Sequence, residues 1–474
     1  MASVVSIEAS ADSANIAARY ARFVRDFKFS EVPDVVVERA LLSILDGIGV
    51  GLAASQHEFA RVTIAAMAEL GGEGDYPVVG SALRLPLRDA TVANGTLIHG
   101  LDYDDTHSAS IVHTTASALP MMLGMGQACA ASGTQALSAY LVAVEAAARI
   151  GQVAEGRFQA VGFHPTGVVG AFGSVLGAAM LKGLSTDQVL NAQGIVLSFA
   201  SGSLEFLNGG AWTKRIHPGW AAAAGVTAAT LASHGFVGPT EPYAGRYGLF
   251  NAYLGEDAAR PLGLATAGLG AQWEMQRVAI KPYPVCHFNH AFADGVLNLK
   301  RREGLSAADI ESMTACIHPK QIPVVCEPSA LKRKPQSDYD AKFSVQFVMA
   351  AAMVRGRFTL KELEDEALND AEILALCQRV EFEPWPESRY PAYYSGQVRI
   401  RCYDGREFVH TEMVNRGADE RPLTAKQVEE KFFDSASYAV DPQRAAAIRD
   451  AVLALPTAPD LSGLLATIAA PAAL

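Results

Sequence analysis

A long apolar run, Pro165–Leu181, most constrains what this chain can fold into. Its only polar side chains are Thr166 and Ser174, and it is rich in glycine and alanine. A helix needs about 20 apolar residues to cross a bilayer, so the run is too short to be a membrane span. Because small residues let helices approach closely, the run predicts a helix buried inside a helical protein that has no membrane partner.

The segment from residue 13 to 270 has helical periodicity. Apolar residues recur at helical spacing over Ile16–Phe27 and over Val37–Ile48. The glycine-rich stretch Gly47–Gly51 is expected to close the second of these helices. Ser185-Thr-Asp-Gln188 is a capping box, which predicts that another helix begins there.

The pattern becomes mixed after Trp273. Gln397–Tyr403 alternates apolar and polar side chains and is followed by Asp404-Gly405, a dipeptide typical of a two-residue hairpin turn. Ser306-Ala-Ala-Asp309 is expected to cap a helix in this region, and beyond Gly417 the sequence is helical again. We therefore predict a mainly α protein with one large all-helical domain and an inserted, smaller α+β lid domain. The helical domain comprises residues 1–272 and 416–474, and the lid domain comprises residues 273–415.

Charge and cysteine content narrow the function classes. The formal net charge of −11 argues against nucleic acid as a partner, because nucleic-acid-binding surfaces are basic. The six cysteines show no C-x-x-C spacing, which fits free thiols in a reducing compartment. Glu8 and Asp12 interrupt the first residues, so no secretory signal is predicted and a cytoplasmic location is expected.

The residues best suited to chemistry are concentrated in His99-Gly-Leu-Asp102-Tyr-Asp104-Asp105-Thr106-His107, with His113 shortly after. The flanking segments are small and apolar, and charged groups beside apolar segments are usually paired or have a task. Aspartate and histidine could transfer protons here. Two alternatives are that the aspartates bind Mg²⁺ and that they cap a helix end.

Two further groups lie beside predicted helices. His164 precedes a proline, so it is expected to be extended at the entry to the apolar helix, where its imidazole could point into a cavity. The basic run Lys214-Arg215-Ile-His217-Pro218 precedes an Ala-rich helix predicted over Trp220–Ser233, with Pro218 in its first turn. A helix N-terminus with three basic side chains suits a carboxylate ligand. The flanking Trp212 and Trp220 favour partial burial of this run.

The last cluster is Lys281-Pro-Tyr-Pro-Val-Cys286-His287. Two prolines fix an extended path from which Lys281 could reach inward, although a surface lysine fits the pattern as well. Cys286 could act as a nucleophile beside His287, but adjacent side chains usually diverge. The sequence contains no Gly-x-Ser-x-Gly elbow, P-loop or Gly-x-Gly-x-x-Gly turn, so those catalytic classes lack support.

In this order, the clusters resemble those of the MmgE/PrpD family, which includes 2-methylcitrate dehydratases, cis-aconitate decarboxylases and iminodisuccinate epimerases. The matching segments are His99–His107, Gly162–Gly167, Lys214–Trp220, Gly235–Pro239, Lys281–Asp294 and Ala341–Ser344. The resemblance implies an enzyme of small polycarboxylates that needs no cofactor and no metal. It also implies a helical domain with a smaller lid domain, and a homodimer.

The resemblance and the residue types together predict the site residues. The catalytic group is Asp102, His113, His164, Lys214 and Lys281, and the substrate-binding group is Thr106, His107, Arg215, His217, Cys286 and His287. The lysines would hold carboxylates and reduce the charge near the reacting carbon. Either His113 or His164 would transfer a proton at a carbon next to a carboxylate, and Asp102 would orient an imidazole.

The residue types leave the reaction open. Loss of hydroxide would make the protein a dehydratase, loss of CO2 a decarboxylase, and reprotonation on the opposite face an epimerase. All three reactions need the same acid–base and anion-holding groups. We predict a lyase of the first two kinds, with an epimerase of a dicarboxylate such as iminodisuccinate as the alternative. More remote alternatives are a Mg²⁺-dependent helical prenyl-chain enzyme and a non-catalytic carboxylate-binding protein.

Overall fold

The computed structural model describes residues 15–208, 211–256 and 260–469. The chain divides into two compact units. The first unit comprises the chain up to Val278 together with the segment from Thr424 onward, and the second comprises Ala279–Leu423. The structure is mainly α with one small sheet in the second unit, which confirms the predicted fold class. Glu8 and Asp12 lie outside the described residues.

Helices and strands have the following bounds. The α-helices are α1 (Ile16–Asp26), α2 (Asp34–Ala54), α3 (Glu58–Gly71), α4 (Leu87–His99), α5 (Thr114–Ala128), α6 (Gly133–Val153), α7 (Arg157–Ala160), α8 (Pro165–Leu181), α9 (Thr186–Val196), α10 (Thr213–Ser233), α11 (Leu249–Leu254), α12 (His290–Glu303), α13 (Ile322–Val325), α14 (Ser329–Lys332), α15 (Asp338–Lys342), α16 (Val345–Arg355), α17 (Asp365–Leu368), α18 (Ala371–Cys377), α19 (Ala425–Ala436), α20 (Pro442–Leu453) and α21 (Ser462–Ile468). The strands are β1 (Tyr76–Pro77), β2 (Arg84–Leu85), β3 (Thr106–His107), β4 (Val278–Ala279), β5 (Ile310–Ile317), β6 (Val380–Pro384), β7 (Gly396–Cys402) and β8 (Glu407–Glu412).

Helix α8 corresponds to the apolar run Pro165–Leu181, and it is buried almost from end to end. It packs against α6 and α10 in the first unit. The fit is close, because a Cβ on Gly173 would lie 2.3 Å from the carbonyl oxygen of Ala143. His164 precedes the helix in an extended conformation, as predicted from Pro165. Across the described residues, we find no helix that combines the length and the apolar character needed to cross a membrane.

The glycines of α2 do not end that helix, so this prediction was wrong. Helix α2 continues through Gly47–Gly51 to Ala54. The glycines instead face close neighbours, since a Cβ on Gly49 would lie 2.9 Å from the ring of Phe432. Close packing therefore explains these glycines. The capping box at Ser185 is confirmed, because its side chain accepts a hydrogen bond from the Gln188 amide at the start of α9.

The second unit contains a four-stranded sheet in the order β6-β5-β7-β8. Strand β5 runs parallel to β6 and antiparallel to β7, and β7 is antiparallel to β8. The predicted hairpin is confirmed, with Gly405 at a φ of 85° between β7 and β8. The helix expected after Ser306 is not formed. Ser306 caps only the short 3₁₀ turn Ala307–Asp309, because the apolar side chains that follow belong to buried strand β5.

Candidate active site

The acidic loop begins where α4 ends at His99. Asp102 has a positive φ of 53°, a conformation that is uncommon outside glycine and that aspartate tolerates better than most residues. Its amide donates a hydrogen bond to the carbonyl of His99 at 2.9 Å. The chain therefore turns sharply here, which presents the Asp102 carboxylate beside the end of α4.

Lys431 of α19 holds this loop from the other end of the chain. Its Nζ donates a hydrogen bond to the carbonyl of Tyr103 at 2.8 Å and lies 2.7 Å from Asp46 Oδ1. The ammonium also lies 3.8 Å from the centre of the Tyr103 ring. Sequence reasoning missed this group. Asp46 could have indicated it, since it is a single carboxylate within the apolar helix α2. A buried charge needs a partner, so a cationic side chain was to be expected beside it.

Lys214 and Asp102 form a buried ion pair. Lys214 Nζ donates to Asp102 Oδ1 at 2.9 Å, and the two residues are 8% and 3% exposed. Residues that the sequence places 112 positions apart are thus brought together. Few ion pairs are this well shielded from water, and a charge in such a place interacts strongly with any anion that reaches it.

Helix α10 begins at Thr213, so the prediction that Pro218 lies in its first turn was wrong. Lys214 and Arg215 occupy the first turn and Pro218 lies inside the helix. The Arg215 amide donates to the carbonyl of Trp212 at 2.9 Å, which closes the turn before the proline is reached. A proline there removes only the bond to the Lys214 carbonyl, four residues earlier. The carboxylate-binding helix end predicted at Pro218 is therefore absent.

The tryptophans beside the basic run are exposed, so they do not bury that run as we predicted. Trp212 is 42% exposed and Trp220 is 51% exposed. Arg215 is nevertheless buried, because its guanidinium lies 4.2 Å from the centre of the Phe59 ring. Cation–π stacking of this kind favours arginine.

Four imidazoles from separate parts of the first unit meet beside the ion pair. The ring centres of His99 and His113 are 4.6 Å apart, and that of His164 lies 5.6 Å from His99 and 6.0 Å from His113. His164 Nδ1 lies 3.1 Å from Nδ1 of His217. His99, His113 and His164 are all buried. The structure thus brings together His113 and His164 of the predicted catalytic group and His217 of the predicted binding group. His99, which was in neither group, lies among them.

Protein groups fix the ring of His113. Its Nδ1 donates to the carbonyl oxygen of Asp105 at 2.8 Å and lies 3.5 Å from Asp104 Oδ2. Thr106 Oγ1 is 3.4 Å from the same nitrogen. A proton therefore resides on Nδ1, and Nε2 is the nitrogen that can exchange one with a ligand. Thr106 supports this ring.

Two histidines are held neutral by their surroundings. Burial, together with the nearby His99 and Lys214, sets the pKa of His164 well below its usual 6.5. Burial and the same two neighbours lower the pKa of His217 to about 4. Both rings are therefore uncharged at neutral pH, so each can accept a proton or a hydrogen bond.

Asp105 stabilises the start of α5. Its Oδ1 accepts a hydrogen bond from the Thr115 amide at 3.1 Å, and its Oδ2 accepts one from the Thr115 hydroxyl. Burial raises the pKa of Asp105 to about 7, with the Thr115 bonds opposing this and Asp104 adding to it. Asp105 therefore fits the alternative that an aspartate of this loop caps a helix end.

His107 belongs to a separate buried network. Its Nδ1 lies 2.8 Å from Ser110 Oγ, and its Nε2 lies 2.9 Å from Glu274 Oε2. Burial alone would raise the pKa of Glu274, but the bond to His107 and nearby arginines lower it to about 2. Both ring nitrogens of His107 are thus already occupied by protein groups.

The same network contains the pair Glu145 and Arg149, whose side chains are 3.2 Å apart in α6. Sequence reasoning missed this pair. Their i, i+4 spacing in an otherwise apolar helix was the available signal.

Lys281, Cys286 and His287 belong to the second unit. Lys281 is almost completely buried, Cys286 is half-buried, and His287 is buried with its Nε2 2.9 Å from Asn415 Nδ2. All six cysteines are free thiols, as predicted.

Two sets of side chains have the chemistry to hold a metal ion. One ring nitrogen from each of His99, His113 and His164 lies within 4.8 Å of the others. The same spacing holds for Asp102, Asp104 and His113. Both sets are buried and share His113.

Comparison with known proteins agrees with this architecture. A model of the MmgE/PrpD N-terminal domain matches residues 18–262, and a model of the C-terminal domain matches residues 283–457. The chain therefore belongs to the MmgE/PrpD family. It is an MmgE/PrpD-type lyase, of the dehydratase or decarboxylase kind, which confirms the predicted family and enzyme class.

Similar proteins match over nearly the whole chain. A cis-aconitate decarboxylase-like protein of Aspergillus oryzae is 26% identical over 471 residues, which is 96% of this chain and 97% of that protein. A cis-aconitate decarboxylase of Homo sapiens is 27% identical over 433 residues, covering 89% and 88% of the two chains. One of Aspergillus terreus is 26% identical over 492 residues and covers 98% of each.

Proposed function

We propose that this lyase removes CO2 from cis-aconitate or a closely similar small tricarboxylate without a cofactor. The observation that carries the proposal is the buried Lys214–Asp102 pair beside the neutral ring of His164. The names of the relatives favour decarboxylation over dehydration.

Substrate binding would use the charge of Lys214. An incoming carboxylate can share the Nζ donors with Asp102, because an ammonium has three N–H groups. The neutral rings of His164 and His217 can then hydrogen-bond the substrate without adding a fixed charge. Both rings lie near enough to Lys214 for its charge to affect their pKa. Arg215 lies in the same first turn of α10, where its stacking holds that turn in place.

The chemistry follows from the substrate's own bonds. The C–C bond between the methylene carbon and its carboxylate breaks, and CO2 leaves without the bonding electron pair. That pair forms a new C=C bond with the neighbouring carbon, and the former double bond takes up a proton at the carbon next to the far carboxylate. The enzyme must supply one proton and stabilise the charge that develops during the shift.

His113 is the group we assign as the proton donor. Its Nδ1 is fixed by the Asp105 carbonyl and lies close to the Asp104 carboxylate, so a second proton on Nε2 would be balanced by that negative charge. General acid catalysis of this kind typically contributes a factor of about 10²–10⁴ in rate. We assign His164 to substrate binding and charge placement, since it is neutral in the free enzyme.

Incubation in D2O with a panel of substrates, followed by NMR, tests the proposal. We expect cis-aconitate to lose one carboxylate and the product to carry one deuterium on the carbon next to the far carboxylate. Turnover of 2-methylcitrate alone would replace the proposal with a dehydratase. Deuterium exchange at the α-carbon of iminodisuccinate without loss of carbon would replace it with an epimerase. Binding without any turnover would support a carboxylate-binding protein.

Several predictions carry over as part of the proposal. Lys281, Cys286 and His287 remain candidates on the basis of the sequence. His107 is better assigned as a positioning residue, since both of its nitrogens bind protein groups. A homodimer and a cytoplasmic location also remain proposals. The free thiols support a reducing compartment.

A further inference from the structure

We propose that the imidazole cluster of His99, His113 and His164 binds a divalent transition metal such as Zn²⁺ in the absence of substrate, and that the bound metal blocks the site. The metal binding follows from the cluster alone, whereas the block rests on the proposed function. The metal would act as an inhibitor that competes for groups the reaction needs.

Two of the three rings, those of His99 and His113, have the hydrogen bonds of metal-binding histidines. His99 Nδ1 lies 2.8 Å from Asp104 Oδ2, His113 Nδ1 lies 2.8 Å from the Asp105 carbonyl, and His164 Nδ1 lies 3.1 Å from His217. Metal-ligating histidines almost always bind a carboxylate, a carbonyl or a similar group through the second ring nitrogen. Coordination through Nε2 would leave these Nδ1 contacts in place.

Two buried polar atoms in the cluster point to a ligand. His99 Nε2 and Asp104 Oδ1 have no hydrogen-bond partner within the described part of the chain, although both residues are almost completely inaccessible to solvent. A buried polar atom without a partner destabilises the folded state. A metal bound to His99 Nε2 would remove that destabilisation for the imidazole. Asp104 Oδ1 could serve as an additional oxygen ligand.

The spacing allows coordination after a small closure of the rings. Zn–N bonds of about 2.0–2.1 Å place two ligand nitrogens roughly 3.4 Å apart in a tetrahedral site. One ring nitrogen of each histidine lies within 4.8 Å of one nitrogen of the other two, so rotations that move each ring by about an ångström suffice.

The ligand set selects among metals. Imidazole nitrogens suit Zn²⁺, Co²⁺, Ni²⁺ and Cu²⁺, whereas Mg²⁺ prefers six oxygen ligands. We therefore expect no effect of Mg²⁺. This distinguishes the proposal from a carboxylate-based Mg²⁺ site in the acidic loop.

Cobalt titration of the untagged, EDTA-treated protein tests the proposal without requiring turnover. We expect one Co²⁺ per chain, with the intense visible absorption of a tetrahedral nitrogen site, and displacement of Co²⁺ by Zn²⁺. His99→Ala and His164→Ala should each weaken binding at least tenfold. His234→Ala is the matched control, since this histidine is exposed beyond the far end of α10. His99→Gln provides a second variant if His99→Ala is not folded by circular dichroism.

Unchanged Co²⁺ binding in folded His99 and His164 variants, or no binding by the unmodified protein, would overturn the proposal. If the protein turns over cis-aconitate, buffered free Zn²⁺ should inhibit it, and EDTA should restore the rate. A protein that binds Co²⁺ as described but transforms no polycarboxylate would contradict only the proposed function. Inhibition by Mg²⁺ equal to that by Zn²⁺ would contradict the nitrogen site.

Discussion

At the scale of single residues, the site depends on which groups are charged when substrate arrives. Lys214 presents a buried positive charge and donates a hydrogen bond to Asp102. His164 is neutral because burial, together with the nearby His99 and Lys214, holds its pKa well below the usual 6.5. This combination attracts a carboxylate and leaves a neutral ring whose N–H can donate a hydrogen bond to it.

Replacing His164 with Gln tests the role of that ring. Because the ring is assigned to substrate binding, and a hydrogen bond to a charged group contributes about 1.5–3 kcal/mol, we expect kcat/KM for cis-aconitate to fall by roughly 10- to 100-fold while the protein stays folded. His234→Gln is the control and should leave kcat/KM unchanged, since that residue is exposed. In the unmodified enzyme, His164 should not limit activity between pH 6.5 and 8, because its pKa lies below that range. A folded His164→Gln protein with full activity would remove this residue from the site.

Asp105 makes stability depend on pH. Its pKa is about 7 in the folded chain and about 4 in an unfolded one, so the folded state holds a proton that the unfolded state releases. The stabilisation is complete below about pH 4 and is lost as pH rises through 7. Asp105→Asn cannot ionise. We therefore measure the free energy of unfolding of this variant and of the unmodified protein in urea. Their difference should shift in favour of the variant by roughly 1–4 kcal/mol between pH 5 and pH 8. An equal difference at both pH values would contradict the assigned pKa.

At the scale of helices, one glycine contact positions the site. A Cβ on Gly95 of α4 would lie 2.3 Å from the Cα of Gly219 in α10, and one on Gly219 would lie 2.2 Å from the Val92 carbonyl oxygen. The two helices therefore touch through backbone. This contact brings the loop after α4 within reach of Lys214, near the start of α10.

Replacing Gly95 with Ala tests this contact. Because the new methyl group would meet backbone atoms that cannot rotate away, we expect a loss of about 2 kcal/mol or more in the free energy of unfolding, with a lower kcat/KM. Gly463→Ala in α21 is the matched control, since a Cβ there would meet nothing within 4 Å. Urea unfolding measures both. If Gly95→Ala is as stable as the control, the close approach of the helices is not required.

The elements were largely predictable from local patterns, and the failures have a common cause. The capping box at Ser185, the proline after His164 and the alternation in β7 depend on neighbours in sequence, and each of these three predictions was confirmed. The end of α2 and the start of α10 depend on distant contacts, Phe432 for Gly49 and Asp102 for Lys214. Local patterns carry no record of such contacts.

The same reason explains which parts of the site were missed. The residue types and order of the predicted clusters indicated the chemistry. Lys431 is 328 positions from the carbonyl that it binds, and nothing near it in sequence marks it. The occupied nitrogens of His107 could not be predicted either, because Glu274 lies far along the chain.

At the scale of the whole molecule, the second unit has its own hydrophobic core. That core consists of residues from Tyr283 to Cys402, including both faces of helix α16 and the inward side chains of β5 and β7. Because the core residues lie within one continuous segment, we expect the fragment 279–423 to fold by itself. The isolated fragment should show helical and β signals in circular dichroism and should unfold cooperatively in urea. A fragment that shows no cooperative transition would contradict this independence.

A crystal structure with tricarballylate, a saturated tricarboxylate that cannot undergo the allylic loss of CO2, tests most directly whether these buried residues bind the substrate. We expect one carboxylate within hydrogen-bond distance of Lys214 Nζ and the ligand in contact with His164. A ligand bound elsewhere, with the Lys214–Asp102 pair unchanged and no electron density beside His164, would contradict the claim that these buried residues form the active site.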